Sequence, residues 1–408
     1  MSTARSDTAI LFSARTTRLF AYGFVSVVLV LYLAETGLSP LGIGTLLSAT
    51  LAGDIVVSLW ITMIADRMGR KKMLLLGSLL MILGGVVFVL TQNPVLLTLA
   101  AIIGIISPSG NEIGPFLSIE QAALAQLVSD QKRTALFGWY NLAGSFATAA
   151  GALAGGWLAT LLQDFGLSAF ASYRSIMAGY ACCGAILLLL FSRLSQDSEL
   201  PRQVSPEVQA PTRFNFGIAR SKNIVLKLSG LFAVDAFAGG FVVQSMVAWW
   251  FHVQYGIDEG LLGTMFFGAN LLAGVSALAA TKIAGRIGLV NTMVFSHIPS
   301  NILLCLVPLM PNLWLAITVL LLRASISQMD VPARQSYTMA VVDPEERTAA
   351  SGITHVARSV GAASSPVLAG LLMANPLLFS APFFIAGGLK IVYDLYLYKL
   401  FKNVQTSH

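Results

Sequence analysis

Charge is scarce in this sequence. Asp, Glu, Lys and Arg make up 11% of its 408 residues, against about 25% in soluble domains. With 56% hydrophobic residues and a mean hydropathy of +0.77, the chain cannot clothe itself in a surface that water accepts. The remaining solvent is lipid. Cysteine is also scarce. Cys182, Cys183 and Cys305 all lie in apolar runs, without zinc-site spacing, which argues against a disulfide scaffold or metal centre. No Gly-rich loop ends in Lys-Ser/Thr, which argues against ATP-driven transport. No Ser/His/Asp or metal-ligand constellation is visible, so no enzyme and no cofactor is expected. A cleavable leader is not expected either. Residues 1–17 are polar, and the apolar run Leu19 to Leu33 leads into Ala34-Glu35-Thr36, not a small-residue cleavage site.

What the chain does have is long apolar runs, broken by Gly, Pro and charged clusters. They fall at 18–36, 39–64, 72–91, 95–127, 134–161, 173–192, 223–254, 259–282, 290–310, 313–341, 348–373 and 381–401. A spanning helix needs roughly 20 apolar residues. The expectation is therefore an all-α, polytopic membrane protein with twelve transmembrane helices. The fourth, seventh and tenth runs are long and polar in places, and are where this count is weakest.

The formal net charge of +6 reads as a topology signal, with no nucleic-acid partner needed. If the N-terminus is cytoplasmic, the cytoplasmic segments hold Arg5, Arg15, Arg18, Arg67, Arg70, Lys71, Lys72, Lys132, Arg133, Lys282, Arg286, Arg347 and Lys402. The opposite loops hold neither Lys nor Arg. Both termini are expected to be cytoplasmic, in a bacterial inner membrane or a plasma membrane. Residues 193–222 carry Pro201, Pro206 and Pro211 among charges and read as a cytoplasmic linker. It separates an N-terminal bundle, 1–192, from a C-terminal bundle, 223–408.

The two bundles are expected to be pseudo-symmetric. A shift of 214 residues lays Arg133-Thr134-Ala135 on Arg347-Thr348-Ala349. The same shift pairs Gln121 with Gln335, Gly138 with Gly352, Ala143 with Ala357, Ser145 with Ser359 and Gly156 with Gly370. Asn141 meets His355, and Glu120 meets Arg334. Parallel repeats of this kind are a feature of secondary transporters.

The loop after the second run reads Asp66-Arg67-Met68-Gly69-Arg70-Lys71-Lys72, and a weaker copy, Gly285-Arg286-Ile287-Gly288, follows the eighth. With twelve runs and a central linker, this resembles the major facilitator superfamily across the whole chain. Thr62 stands where that signature has a glycine. The resemblance implies a conformational latch in which Asp66, Arg67, Gly69 and Arg70 take part. The fifth run, Ala147 to Gly156, resembles the helix-five signature of the family's drug/proton antiporters, with Ala152 in place of a proline. Its repeat partner keeps Gly361, Ser365, Pro366 and Gly370. Unlike many family antiporters, the fourth run has no buried arginine. The resemblance implies a working monomer.

Charges inside spans are costly and usually functional. They are Glu35, Asp54, Glu112 and Glu120 in the first half, and Asp235, Arg323, Asp330, Arg334 and Arg358 in the second, with His355 nearby. On a continuous helix Arg323, Asp330 and Arg334 fall within about 40° of one another, and Asp330 can pair with Arg334. His355 and Arg358 share a face. The expected function is proton-coupled export of a small molecule by alternating access. Glu112, Asp54 and Asp235 are the candidate proton carriers. Arg323, Asp330, Arg358, His355, Asn111 and Asn141 are candidate substrate contacts. Glu120 and Arg334 are candidate gates. The arginines leave open an uptake or exchange carrier for an anion. A lipid transporter or a receptor without flux is the further alternative.

Overall fold

A computed structural model describes residues 2–112, 114–127, 130–195 and 220–402. They form helices α1a (Ser2–Ser26), α1b (Leu29–Glu35), α2 (Pro40–Met68), α3 (Arg70–Leu90), α4a (Pro94–Ile103), α4b (Phe116–Leu127), α5 (Asp130–Asp164) and α6 (Ala169–Ser192). In the second half come α7a (Lys222–Gly240), α7b (Gln244–Tyr255), α8 (Glu259–Ile287), α9 (Leu289–Leu306), α10a (Leu313–Ala324), α10b (Asp330–Val341), α11a (Arg347–Ser364), α11b (Pro366–Met373) and α12 (Ala381–Phe401). Among the described residues, nine helices are long and apolar enough to span a membrane, and α1a with α1b forms a tenth, bent by 44°. The short apolar helices α4a and α10a, each continued by its b half, complete the twelve spans. The linker, apart from 193–195 and 220–222, lies outside the described residues.

Four of the helix starts on the loops that lack Lys and Arg are built from neutral caps, while α8 starts on Asp258, which accepts from Leu261 N–H at 2.7 Å. Ser39 accepts from Gly42 N–H ahead of Pro40, Asn93 from Val95 and Leu96 N–H ahead of Pro94, Ser168 from Ala171 N–H, and Asn312 from Leu315 N–H. Each satisfies donors the first turn leaves unpaired, and the prolines pre-set the helical φ. At the opposite ends, Gly69 (φ +105°) and Gly288 (φ +87°) turn α2 into α3 and α8 into α9, a backbone that glycine reaches without strain. Large apolar side chains such as Trp60, Met63, Leu189, Trp314 and Leu322 are exposed, as a lipid-facing surface requires.

The residues form two compact units. One holds the described residues of Met1–Arg202 with Val243–Leu271; the other holds those of Gln203–Val242 with Leu272–His408. In the first unit the helix-five glycines serve close packing. A Cβ at Gly151 would collide with the Phe20 carbonyl, and one at Gly155 with that of Phe24. In the second unit, Gly361 of α11a approaches Ala233 of α7a in the same way, so α1–α5 and α7–α11 are repeat-related contacts.

The three long polar runs all break, as do the first and eleventh. After α4a the described residues of 104–112 and 114–115 form no regular helix, and Ile105 takes a positive φ of 53°, which costs a β-branched residue heavily. Tyr180 Oη holds this turn by donating to the Ile105 carbonyl at 2.7 Å. The shift of 214 residues lays α4b on α10b end to end. A helix break therefore precedes the same repeat segment in both halves.

Candidate functional site

In the first unit, the break in helix four carries the site. Glu112 lies within it. Arg18 Nε donates to Glu112 Oε1 at 2.9 Å, and Arg15 Nη1 lies 2.8 Å from Oε2. Arg18 then grips Glu120 of α4b with Nη1 at 2.6 Å and Nη2 at 2.7 Å. Tyr140 Oη of α5 donates a short hydrogen bond to the same carboxylate. Arg18 and Glu120 are both fully buried. Two arginines and two glutamates thus join α1a, helix four and α5 in a neutral network, the arrangement that lets charge persist away from water. Arg15 also donates to Asn141 Oδ1 at 3.2 Å.

Asp54 of α2 differs. It accepts from Gly114 N–H at 2.7 Å and from Ser58 Oγ at 3.0 Å, and forms no ion pair among the described residues. It closes the C-terminal end of the break. Near the middle of the break, Thr148 Oγ1 donates to the Gly110 carbonyl at 3.4 Å, and Ser245 N–H of α7b donates to the Pro108 carbonyl at 3.1 Å. Gln244 donates to Ser26 Oγ at 2.7 Å and accepts from Asn270 Nδ2 at 3.2 Å. Irregular backbone at membrane depth is tolerated where it is buried in protein or lines a cavity, and these groups satisfy it.

In the second unit Asp235 of α7a is the hub. Its Oδ2 accepts from Arg358 at 2.9 Å and Arg334 at 3.1 Å, and its Oδ1 from Lys390 at 2.6 Å. Arg334 also bonds Asp330 at 3.0 Å, the pairing the spacing predicts. His297 Nδ1 meets Asp394 Oδ1 at 2.9 Å, and Asn301 donates to Asp394 Oδ2 at 3.2 Å. The two units repeat one device with the sign reversed. A helix-one arginine holds a helix-four glutamate (Arg18–Glu120), and a helix-seven aspartate is held by a helix-ten arginine (Asp235–Arg334).

The structure sorts the sequence-predicted residues. Glu112 and Asp235, expected as proton carriers beside Asp54, are each clamped by two or more cations. Glu120 and Arg334, expected as gates, have partners on their own side of the repeat. Arg15 and Arg18 are not in a cytoplasmic tail. The first helix begins at Ser2 and carries Arg18 into the protein, because its polar first turns continue the helix before the apolar run starts. The single stripe of Arg323, Asp330 and Arg334 does not form either, since the break after Ala324 interrupts the 100° phase that joins them. Arg323 makes no ion pair among the described residues, and its Nε is buried without a partner. His355 and Asn111 are exposed. Arg70 donates to Gln126 at 2.9 Å and Lys71 to the Leu194 carbonyl at 2.7 Å, which ties the signature loop to helices four and six. Arg67 is exposed, and the Asp66 side chain lies outside the described ones. Sequence reasoning missed Arg15, Arg18, His297, Lys390 and Asp394 as site residues. The last three stand inside apolar runs, where the rule that flagged Asp235 would have found them.

A family model described as Major Facilitator Superfamily matches residues 11–322 and 228–407. The uncharacterized membrane protein YJR124C of Saccharomyces cerevisiae is 30% identical over 99% of this chain and 96% of its own. Among solved structures, the nucleoside transporter NupG is similar with a TM-score of 0.73 at 14% identity, covering 97% of this chain and 99% of its own. The D-xylose-proton symporter gives 0.74 at 14%, with 96% and 97% covered. A bacterial homolog of the human lysosomal transporter Spinster gives 0.71 at 17%, with 97% and 95% covered. At these identities the structures share the fold.

Proposed function

Because the chain belongs to the major facilitator superfamily, we propose that it is a secondary transporter that works by alternating access and exports a small molecule in exchange for protons. It is a membrane transporter, not an enzyme. The exchange, its direction and the cytoplasmic placement of both termini are this reading. The observation that carries it is Asp54, a carboxylate at membrane depth whose hydrogen-bond partners among the described residues are a backbone N–H and a hydroxyl. Its neighbours Glu112 and Glu120 are neutralised by arginine. Asp54 is therefore the acid whose proton changes the local charge without breaking an ion pair. It is bonded to the helix-four break, so proton loading acts on the backbone beside Asn111, a candidate substrate contact, and beside Gln244 and Asn270, which bond to each other in the same unit. Helix-five glycines like those of the family's antiporters support export, and the Lys/Arg distribution supports the orientation.

A second reading has one specific observation behind it. Arg323, a cation on a spanning helix with no ion pair among the described residues, favours an anionic substrate.

Reconstituted vesicles carrying a pH-sensitive dye test the role of Asp54. With a panel of cationic, neutral and anionic solutes, the wild-type protein moves protons when a transported solute is present. Asp54→Asn retains solute exchange and loses proton movement at least tenfold. Proton movement within twofold of wild type in Asp54→Asn removes Asp54 from the mechanism.

A further inference from the structure

The second unit holds a group of buried titratable side chains that the proposed mechanism does not use. His297 of α9 is 6% exposed, and Asp394 of α12 and Asn301 of α9 are both 0% exposed. Asp394 is an acid of a different kind from its neighbours. Asp235 is held by Arg334, Arg358 and Lys390, and Asp330 by Arg334. Asp394 has an amide and an imidazole as its hydrogen-bond partners. A buried carboxylate needs hydrogen-bonded partners, and of those two only His297 can change its charge, by taking a proton.

The surroundings make that proton consequential. With His297 neutral, Asp235, Asp330 and Asp394 face Arg334, Arg358 and Lys390, and the charges balance. The neutral ring donates from Nδ1 to Asp394, leaving the Nε2 lone pair 3.9 Å from Asp235 Oδ1. That oxygen is the one Lys390 occupies at 2.6 Å. A proton from water binding at Nε2 makes an imidazolium that keeps its Nδ1–H bond to Asp394 and places a positive charge 3.9 Å from Asp235 Oδ1, where it competes with Lys390 for Asp235. Charged and titratable groups reach this cluster from α7a (Asp235), α10b (Asp330, Arg334), α11a (Arg358) and α12 (Lys390, Tyr393, Asp394). Arg323 of α10a joins none of its ion pairs. Tyr393 stands edge-on to the imidazole at 6.0 Å. Pro299 lies inside α9, two residues from His297, so the helix lacks a backbone hydrogen bond where the charge changes.

We propose that the His297–Asp394 pair is a proton-binding site of the C-terminal unit, separate from Asp54, and that its protonation redistributes the partners of Asp235 among α7a, α11a and α12. The site is defined without reference to any transported solute.

The test is nitrogen-15 NMR of histidine-labelled full-length protein in lipid nanodiscs, titrated from pH 5 to 9. The chain has 4 histidines, and the His297 signal is the one lost in His297→Gln. If that variant does not fold, replacing His252, His355 and His408 in turn assigns the same signal by elimination. The expected result is that His297 passes between neutral imidazole and imidazolium within this range, with the midpoint displaced by a pH unit or more in Asp394→Asn. A His297 signal of one protonation state at both pH 5 and pH 9 in the wild-type protein overturns the proposal. A titration that Asp394→Asn leaves in place overturns the pairing.

Discussion

Replacing Arg18 with methionine lowers the stability of the protein by about 3–5 kcal/mol, the usual cost of removing one partner from a buried ion pair. Arg18 is bonded to Glu112 and Glu120 on either side of the helix-four boundary. Without it Glu120 keeps only the Tyr140 hydroxyl, an uncompensated charge with no water to turn to. Arg15 does not take over, because it is spent on Glu112 and Asn141. Thermal unfolding of the purified protein in detergent, read by intrinsic tryptophan fluorescence, measures the loss. Combining Arg18→Met with Glu120→Met removes both charges and restores most of it, since a buried pair and a well-packed apolar pair of similar volume are close in free energy. If the double variant is no more stable than the single one, Glu120 is not the stranded charge.

Asp235→Asn has the second large effect, for the opposite reason. The substitution keeps the shape and removes the anion that three cations share. Arg334 retains Asp330, whereas Arg358 and Lys390 lose the one acid each is bonded to. A loss of about 3–5 kcal/mol is expected, again in thermal unfolding. Adding Lys390→Met recovers part of it, because Lys390 is the more buried of the two stranded cations. An Asp235→Asn protein that unfolds within a degree of wild type contradicts the hub assignment.

The twelve spans were legible in the sequence because lipid leaves a coarse mark, a run of apolar residues as long as the membrane is thick. The three polar runs flagged at the start all break, and helices one and eleven, which were not flagged, break as well. Helix four is open between Ile103 and Phe116, helix seven between Gly240 and Gln244, and helix ten between Ala324 and Asp330. The repeat was equally legible, since the shift that aligns Arg133-Thr134-Ala135 with Arg347-Thr348-Ala349 also aligns α4b with α10b.

The pairing of charges was not legible. Arg18 and Glu120 lie 102 residues apart, and Lys390 and Asp235 lie 155 apart, so no local period joins them. Only Asp330–Arg334, four residues apart, obeyed a rule that a sequence can express. Placing the start of the first helix at the apolar run hid Arg18. Treating helix ten as continuous gave Arg323 a phase that it does not have. Which acids are left without an arginine or lysine partner follows from which cation reaches which carboxylate, and that is a property of packing.

The central claim is that solute movement is driven by the proton gradient. Purified protein in vesicles, with the same solute panel, is given an acid-inside pH gradient and then nigericin, which collapses it. The account predicts that at least one solute accumulates inside against its concentration gradient and leaks back when nigericin is added. Solutes that reach only equal concentrations on both sides, with or without the gradient, contradict it.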